Sequence, residues 1–182
     1  MCVNIPDNKE VLKSSLWNFA VSIYQKNGVS AACLFLQEYC DVDVPLLLCA
    51  GFLAVNGKRF DPSILSTLQK QSSSWQRDVV QSLRAVRQKL KSESYPIPIS
   101  KREALRASVK AAELFAEKIQ LNMMEDATAQ VTSSDVQPNL PQLTAVLTMV
   151  VNAKSKTALT PEHLKNIELI ASAILDCKTN RT

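Results

Sequence analysis

Residues 45–55 read PLLLCAGFLAV, a run with no charged or amide side chain. As an α-helix it is apolar on every side, so other helices must surround it rather than flank it. The run is also far shorter than the roughly 20 apolar residues needed to cross a bilayer. It is therefore expected at the centre of a packed core. Asp43 offers an N-cap with Pro45 in the first turn, where the missing N–H costs nothing, and Asn56-Gly57 supplies a stop.

Upstream, Leu16, Phe19, Ala20, Ile23 and Tyr24 line one face of a helix that begins near Val11 and ends at Asn27-Gly28. Ser30 then caps a second helix, carrying Ala32, Cys33, Leu36 and Tyr39 and ending near Asp41. Downstream, Asp61-Pro62 starts a short helix through Ile64, Leu65 and Leu68, which QKQSSS at 69–74 is expected to break. A longer helix follows through Trp75, Val79, Leu83, Val86 and Leu90. Arg77, Arg84, Arg87 and Lys91 fall mostly outside that stripe and predict a basic outward face.

SESYPIPIS, 92–100, reads as an extended connector, because Pro96 and Pro98 each remove a donor and restrain the preceding residue. Ser100 and Glu103 form a capping-box pattern. Leu105, Val109, Ala112, Ala116, Ile119 and Met123 then repeat at heptad-like spacing along a helix of roughly 25 residues. That helix can pack antiparallel on the helix over 75–90 or against a second subunit. Residues 127–141 read as a flexible linker before two C-terminal helices. The first carries Leu140, Leu143, Val146, Leu147, Val150 and Val151, although VLTMVV alone could form a short strand. The second is capped by Thr160-Pro161 and carries Leu164, Ile167, Ile170, Ala171 and Ile174, with fraying after Asp176. The expectation is a single all-α domain over 1–182, a compact multi-helix bundle of about seven helices around a central apolar one.

Composition removes several function classes. With 3 glycines in 182 residues, glycine-rich phosphate cradles have little raw material. The 5 cysteines include no CxxC pair, and Cys33, Cys40 and Cys49 lie in apolar segments, so reduced buried thiols and a cytoplasmic setting are expected. The start, MCVNIPDNKEV, does not read as a signal peptide. No zinc-ligand spacing occurs around the single histidine, His163, which is placed at the surface or in the first turn of the last helix. GxSxG, GxxxxGK and HExxH are all absent, so no catalytic residue, metal or cofactor is assigned and enzymatic activity stays open.

Charge is unevenly spread. Residues 71–110 carry nine basic and three acidic groups, against six and eight over 111–182. Arg77, Arg84, Arg87, Lys91, Lys101, Arg102 and Arg106 are the partner-binding candidates, and Lys89 and Lys110 belong to the same basic set. An acidic protein partner or a homodimer through the long helix fits that set. Nucleic acid fits less well, because Trp75 and Tyr95 are too few aromatics for a stacking platform. Gln37, Glu38, Asp41 and Asp43 form a polar cluster beside the central helix, read first as caps and turns and second as acid/base or cation chemistry. Trp17, Tyr24, Gln37 and Trp75 are candidates to line an apolar ligand pocket there. A helical interaction or adaptor protein is the leading reading, with an enzyme or small-ligand binder, and a weak nucleic-acid binder, as alternatives.

Trp17, Phe19, Tyr24, Gly28, Cys33, Leu36, Gln37, Asp43 and the Leu46–Leu48 run give residues 16–57 a specific signature. Together with WQRDVVQSLRAVRQKLK at 75–91 and KAAELFAEKIQ at 110–120, they resemble the uncharacterised proteobacterial family known as DUF2390, over roughly residues 12–125. The family pattern has asparagine where this chain has Pro45, and often an aromatic where it has Cys49. Any task resting on that amide or ring does not carry over. The resemblance implies a small helical protein and adds no substrate or reaction.

Overall fold

A computed structural model describes residues 14–133 and 138–179. Helix α1 is Ser15–Tyr24, α2 Val29–Cys40, α3 Val44–Val55, α4 Pro62–Trp75, α5 Gln81–Ser92, α6 Ile99–Ala127, α7 Leu140–Asn152 and α8 Pro161–Thr179. A π-helical turn, Gln76–Val80, joins α4 to α5, so the described residues form seven continuous helical rods. Their sole extended pairing is a bridge between Lys58 and Ser133.

The stretch that predicted the architecture sits where expected. Every residue of α3 is buried except Val44 and Phe52, which are half-buried. Helices α1, α4, α6, α7 and α8 all pack on it. Leu46, Leu47 and Leu53 are among the fully buried side chains, and each burial is worth about 2 kcal/mol relative to exposure. Asp43 caps α3 by accepting from the Leu46 amide at 3.4 Å. Asp61 does the same for α4 through Ser63 and Ile64, at 2.9 and 3.0 Å. Asn56 ends α3, and Gly57 follows at φ 69°.

Other local expectations are corrected. Ser14, not a residue near Val11, caps α1 by accepting from the Trp17 amide, and Val11 lies outside the described residues. Gly28, at φ 77°, precedes α2, which places Ser30 inside the first turn rather than at its cap. Pro98 precedes α6 and its carbonyl accepts from the Lys101 and Arg102 amides at 3.1 Å. The capping box therefore does not form, and Glu103 pairs instead with Arg106 at 2.8 Å. QKQSSS does not break α4. The buried Ser72 hydroxyl folds back onto the Leu68 carbonyl at 2.9 Å, and Trp75 ties the helix to α6 by donating to the Ala116 carbonyl at 3.0 Å. Tertiary packing thus overrides weak local propensity.

The 127–141 segment opens with a held turn: Lys58 Nζ donates to the Thr128 carbonyl at 2.9 Å and the Arg59 amide to the Thr132 carbonyl at 3.3 Å. Residues 134–137 of that expected linker lie outside the described residues. VLTMVV is helical within α7.

Gly51 lies where α3 meets α8, and a Cβ there would stand 2.6 Å from Ile174 Cδ1. Two effects oppose each other in Gly51→Ala: a helix-propensity gain of about 1 kcal/mol and the displacement of Ile174. Ile174→Val removes the one atom in the way. The double variant should therefore be more stable than the two single changes predict by addition, as urea midpoints would show.

Candidate functional site

A π turn closes i→i+5 hydrogen bonds in place of i→i+4, so it shifts the register of everything after it. In α5 the expected apolar stripe slips: Val86 is turned out to solvent and only Leu90 is buried. Arg84 and Arg87 come round to face α6. Helix α6 is itself turned by about one position from its expected face. Its buried side carries Glu113, Ala116, Gln120, Leu121 and Met124, while Leu105 and Ala112 face solvent.

The result is a partly buried ion cluster around a buried Glu113 in place of an outward basic face. Arg84 Nε meets Glu113 Oε1 at 2.8 Å and its Nη2 meets Glu117 Oε1 at 2.6 Å. Arg87 Nη2 reaches Glu113 Oε1 at 3.1 Å, and its Nε pairs with Glu113 Oε2. The Glu113 side chain is only 7% exposed. Burial alone would raise its pKa, but the bonds from Arg87 and Arg84 outweigh it and hold the carboxyl below its ordinary value. Glu117, with less compensation, is raised by burial despite the nearby Arg84.

The other basic candidates are divided. Arg77 is engaged by Asp78, Nε to Oδ1 at 2.7 Å and Nη2 to Oδ2 at 2.9 Å. Arg106 is held by Glu103, and Arg102 Nη1 donates to the Glu93 carbonyl at 3.1 Å. The pairings 84 with 113 and 93 with 102 run in opposite directions along the chain, so α5 and α6 form an antiparallel hairpin across the proline connector. Lys89, Lys91, Lys101 and Lys110 form no ion pair within the described residues and are exposed. Around them stand Tyr95, Ile97, Ile99 and Leu105, all exposed, Ile99 at 70%. The hairpin tip therefore combines free lysines with apolar side chains.

At the hairpin's root, the α2–α3 turn, α4, the π turn and the residues after α7 enclose a polar cleft of about 240 Å³. Asp41, Asp43, Ser72, Gln76, Arg77 and Lys154 line it. Asp41 adopts φ 53°, a left-handed backbone that non-glycine residues seldom take. Asp43 is buried and accepts from Gln120 Nε2 at 2.7 Å in addition to the Leu46 amide. Burial pushes its carboxyl up to about 6, partly countered by those hydrogen bonds and by the charges of Lys154 and Arg84. A wider depression of about 780 Å³ runs along α7 between Leu140 and Asn152, but it is open to solvent.

The four apolar-pocket candidates lie on α1, α2 and α4. Trp17 is half-buried against the core with Lys118 Nζ 5.6 Å from its ring centroid. Trp75 bonds α6, and Gln37 is half-buried on α2. Tyr24 stands at the edge of the ion cluster, its hydroxyl pKa raised by burial and by Cys33 and Glu117. None of the four lines either cavity. Of the acidic cluster, Asp41 and Asp43 share the polar cleft, and Gln37 and Glu38 do not line it.

His163 is in the first turn of α8 as expected, but buried rather than at the surface. Its Nδ1 accepts from the Thr160 amide at 3.0 Å, and its ring lies 5.4 Å from that of Phe35. Cys33, Cys40 and Cys49 are free and buried, and burial pushes the Cys33 thiol up to about 12. Such a thiol is a poor nucleophile. Among the described residues, no group of three or more His, Cys, Asp and Glu side chains is placed to hold a metal, and no helix is long and apolar enough to cross a membrane.

These features define an all-helical protein with a charged hairpin mounted on an enclosed central helix. Residues 15–124 match the family described as a protein of unknown function, DUF2390, and the chain belongs to that family. The matched span runs from α1 to near the end of α6, leaving α7 and α8 outside it. Searches of curated proteins and of solved structures returned no match.

Proposed function

We propose that the chain is a helical interaction protein whose α5–α6 hairpin docks an acidic partner segment bearing apolar side chains. The carrying observation is the tip itself, where Ile97, Ile99 and Leu105 are exposed among Lys89, Lys91, Lys101 and Lys110, none of them in an ion pair within the described residues. Residues 81–117 carry eight basic and four acidic groups, two of the acidic ones paired with Arg84 and Arg87. Positive sign steers an acidic partner, and burial of the apolar side chains supplies affinity. A second copy would meet this surface with the same sign of charge, which disfavours a symmetric dimer through the tip. A cytoplasmic setting belongs to the same reading, supported by the free thiols of Cys33, Cys40, Cys49 and Cys177.

The test is fluorescence anisotropy with a labelled amphipathic helical peptide of Leu, Ala and Glu, and with its counterpart carrying Lys for Glu. The acidic peptide should bind and weaken as salt is added, whereas the basic one should not bind. Lys91→Glu combined with Lys101→Glu should lower the affinity about tenfold or more, equivalent to about 1.4 kcal/mol. Equal binding of both peptides, or tighter binding of duplex DNA or anionic vesicles than of the acidic peptide, would overturn the reading.

A further inference from the structure

Three observations meet in the polar cleft at the hairpin's root. First, Gln76 is 8% exposed, lines the cleft, and its Oε1 has no hydrogen-bond partner among the described residues. A buried acceptor left without a donor costs about 1–3 kcal/mol, a cost that a donor entering the cleft would remove. Second, Gln76 is the first residue of the π turn, a local departure from helix geometry that commonly accompanies functional sites. Third, the cleft is electrically divided. Asp41 and Asp43 bring carboxylates to its lining, while Lys154 contributes a cation that makes no ion pair within the described residues.

We infer that this cleft binds a small zwitterion of the α-amino-acid class, its ammonium held between Asp43 and Gln76 Oε1 and its carboxylate drawn to Lys154. The ammonium supplies the donors that Gln76 Oε1 lacks and a counter-charge for Asp43, whose carboxylate otherwise receives only the Leu46 amide and Gln120 Nε2. Arg77 is less available to the carboxylate because Asp78 already holds it through two bonds. A volume of about 240 Å³ falls below the roughly 300–1,000 Å³ of drug-sized sites, which limits the occupant to few heavy atoms. Leu46 is the one aliphatic lining residue, with Gln69, Ser73 and Gln81 completing the wall, so a short or polar side chain suits it. A bare divalent cation is a poorer match, since only Asp41 and Asp43 bring carboxylates.

Isothermal titration calorimetry of the full chain with glycine, L-alanine, L-serine and L-glutamine tests this, alongside methylammonium, acetate and magnesium chloride as separate arms. At least one amino acid should saturate at one site per chain, while methylammonium and acetate alone bind at least about tenfold more weakly, since each makes only half the contacts. Gln76→Leu should weaken amino-acid binding by a similar factor while raising the melting temperature, because it removes the unpaired buried oxygen. Lys154→Met should weaken binding of the amino acid without weakening that of methylammonium. The inference fails if no amino acid binds, if either half or magnesium binds as tightly as the whole, or if Gln76→Leu raises stability without changing binding.

Discussion

Glu113→Ala should be among the most damaging single changes outside the apolar core, costing about 3–5 kcal/mol. Glu113 receives Arg84 at 2.8 Å and both donors of Arg87, and removing it leaves two guanidinium groups facing one another at 16% and 26% side-chain exposure, with Glu117 as the remaining carboxylate. The penalty comes from those uncompensated charges rather than from the intrinsic worth of the pair, which desolvation largely offsets. Two comparisons separate these effects. Glu113→Gln should recover part of the loss by keeping an acceptor, and the combined change Arg84→Met, Arg87→Met, Glu113→Leu, Glu117→Gln, which leaves no member of the cluster charged, should recover most of it. Urea midpoints would measure all three. Helix α5 packs chiefly on α6 and the π turn, so hydrogen exchange in Glu113→Ala should quicken in α5 first. A uniform increase across α3 and α8 instead would mean that the cluster supports the whole core rather than the hairpin.

The features legible in the sequence were those decided within a few residues. The Asp43 and Asp61 caps, each followed by proline, and the all-round apolar run of α3 need only local chemistry, and all appear as read. The bundle class followed from that run, because a cylinder with no polar face has to be enclosed. The face of α5 was not legible, since the π turn Gln76–Val80 redirects every later residue of its rod, and the face of α6 follows from packing against α5 rather than from its own spacing. Hydrophobic spacing alone put Arg84 and Arg87 outward. One signal could have corrected it: Glu113, Glu117 and Gln120 recur at helical spacing on α6, opposite an i, i+3 pair of arginines on α5. Asp41 and Asp43 were visible as a polar cluster, but Gln76, Gln120 and Ser72 gain meaning only once α4 continues past QKQSSS. Nor do Trp17 and Trp75 line the polar cleft, because Trp75 gives its indole N–H to the Ala116 carbonyl and Trp17 packs against the core.

Asp43→Asn should stabilise the protein at neutral pH and have little effect in acid. The unfolded chain releases the Asp43 proton near 3.8, whereas burial in the fold raises the carboxyl to about 6. Between those values the folded state keeps a proton that the unfolded state has lost, so stability falls as pH rises; above about 6 the cost is fully present and constant. Its size is on the order of 3 kcal/mol. Asparagine keeps Oδ1 for the Leu46 amide and caps helices as well as aspartate, while its Nδ2 replaces the oxygen that accepts from Gln120 Nε2; a flip of the Gln120 amide turns its Oε1, unpartnered among the described residues, to accept from that Nδ2, so the substitution removes the charge and leaves the cap. Glu117 is also raised and Glu113 lowered, so the pH dependence of either protein alone mixes opposing contributions. The difference between wild type and variant isolates Asp43. Urea midpoints at pH 3.5 and 7.5 should show the two proteins converging in acid and the variant ahead at neutral pH, by on the order of 2–3 kcal/mol. A constant gap at both pH values would place the effect in packing or capping instead. If the gap follows pH as expected, the fold tolerates a destabilising carboxylate at the head of its central helix, and an ammonium group entering the cleft would offset that cost by keeping Asp43 ionised.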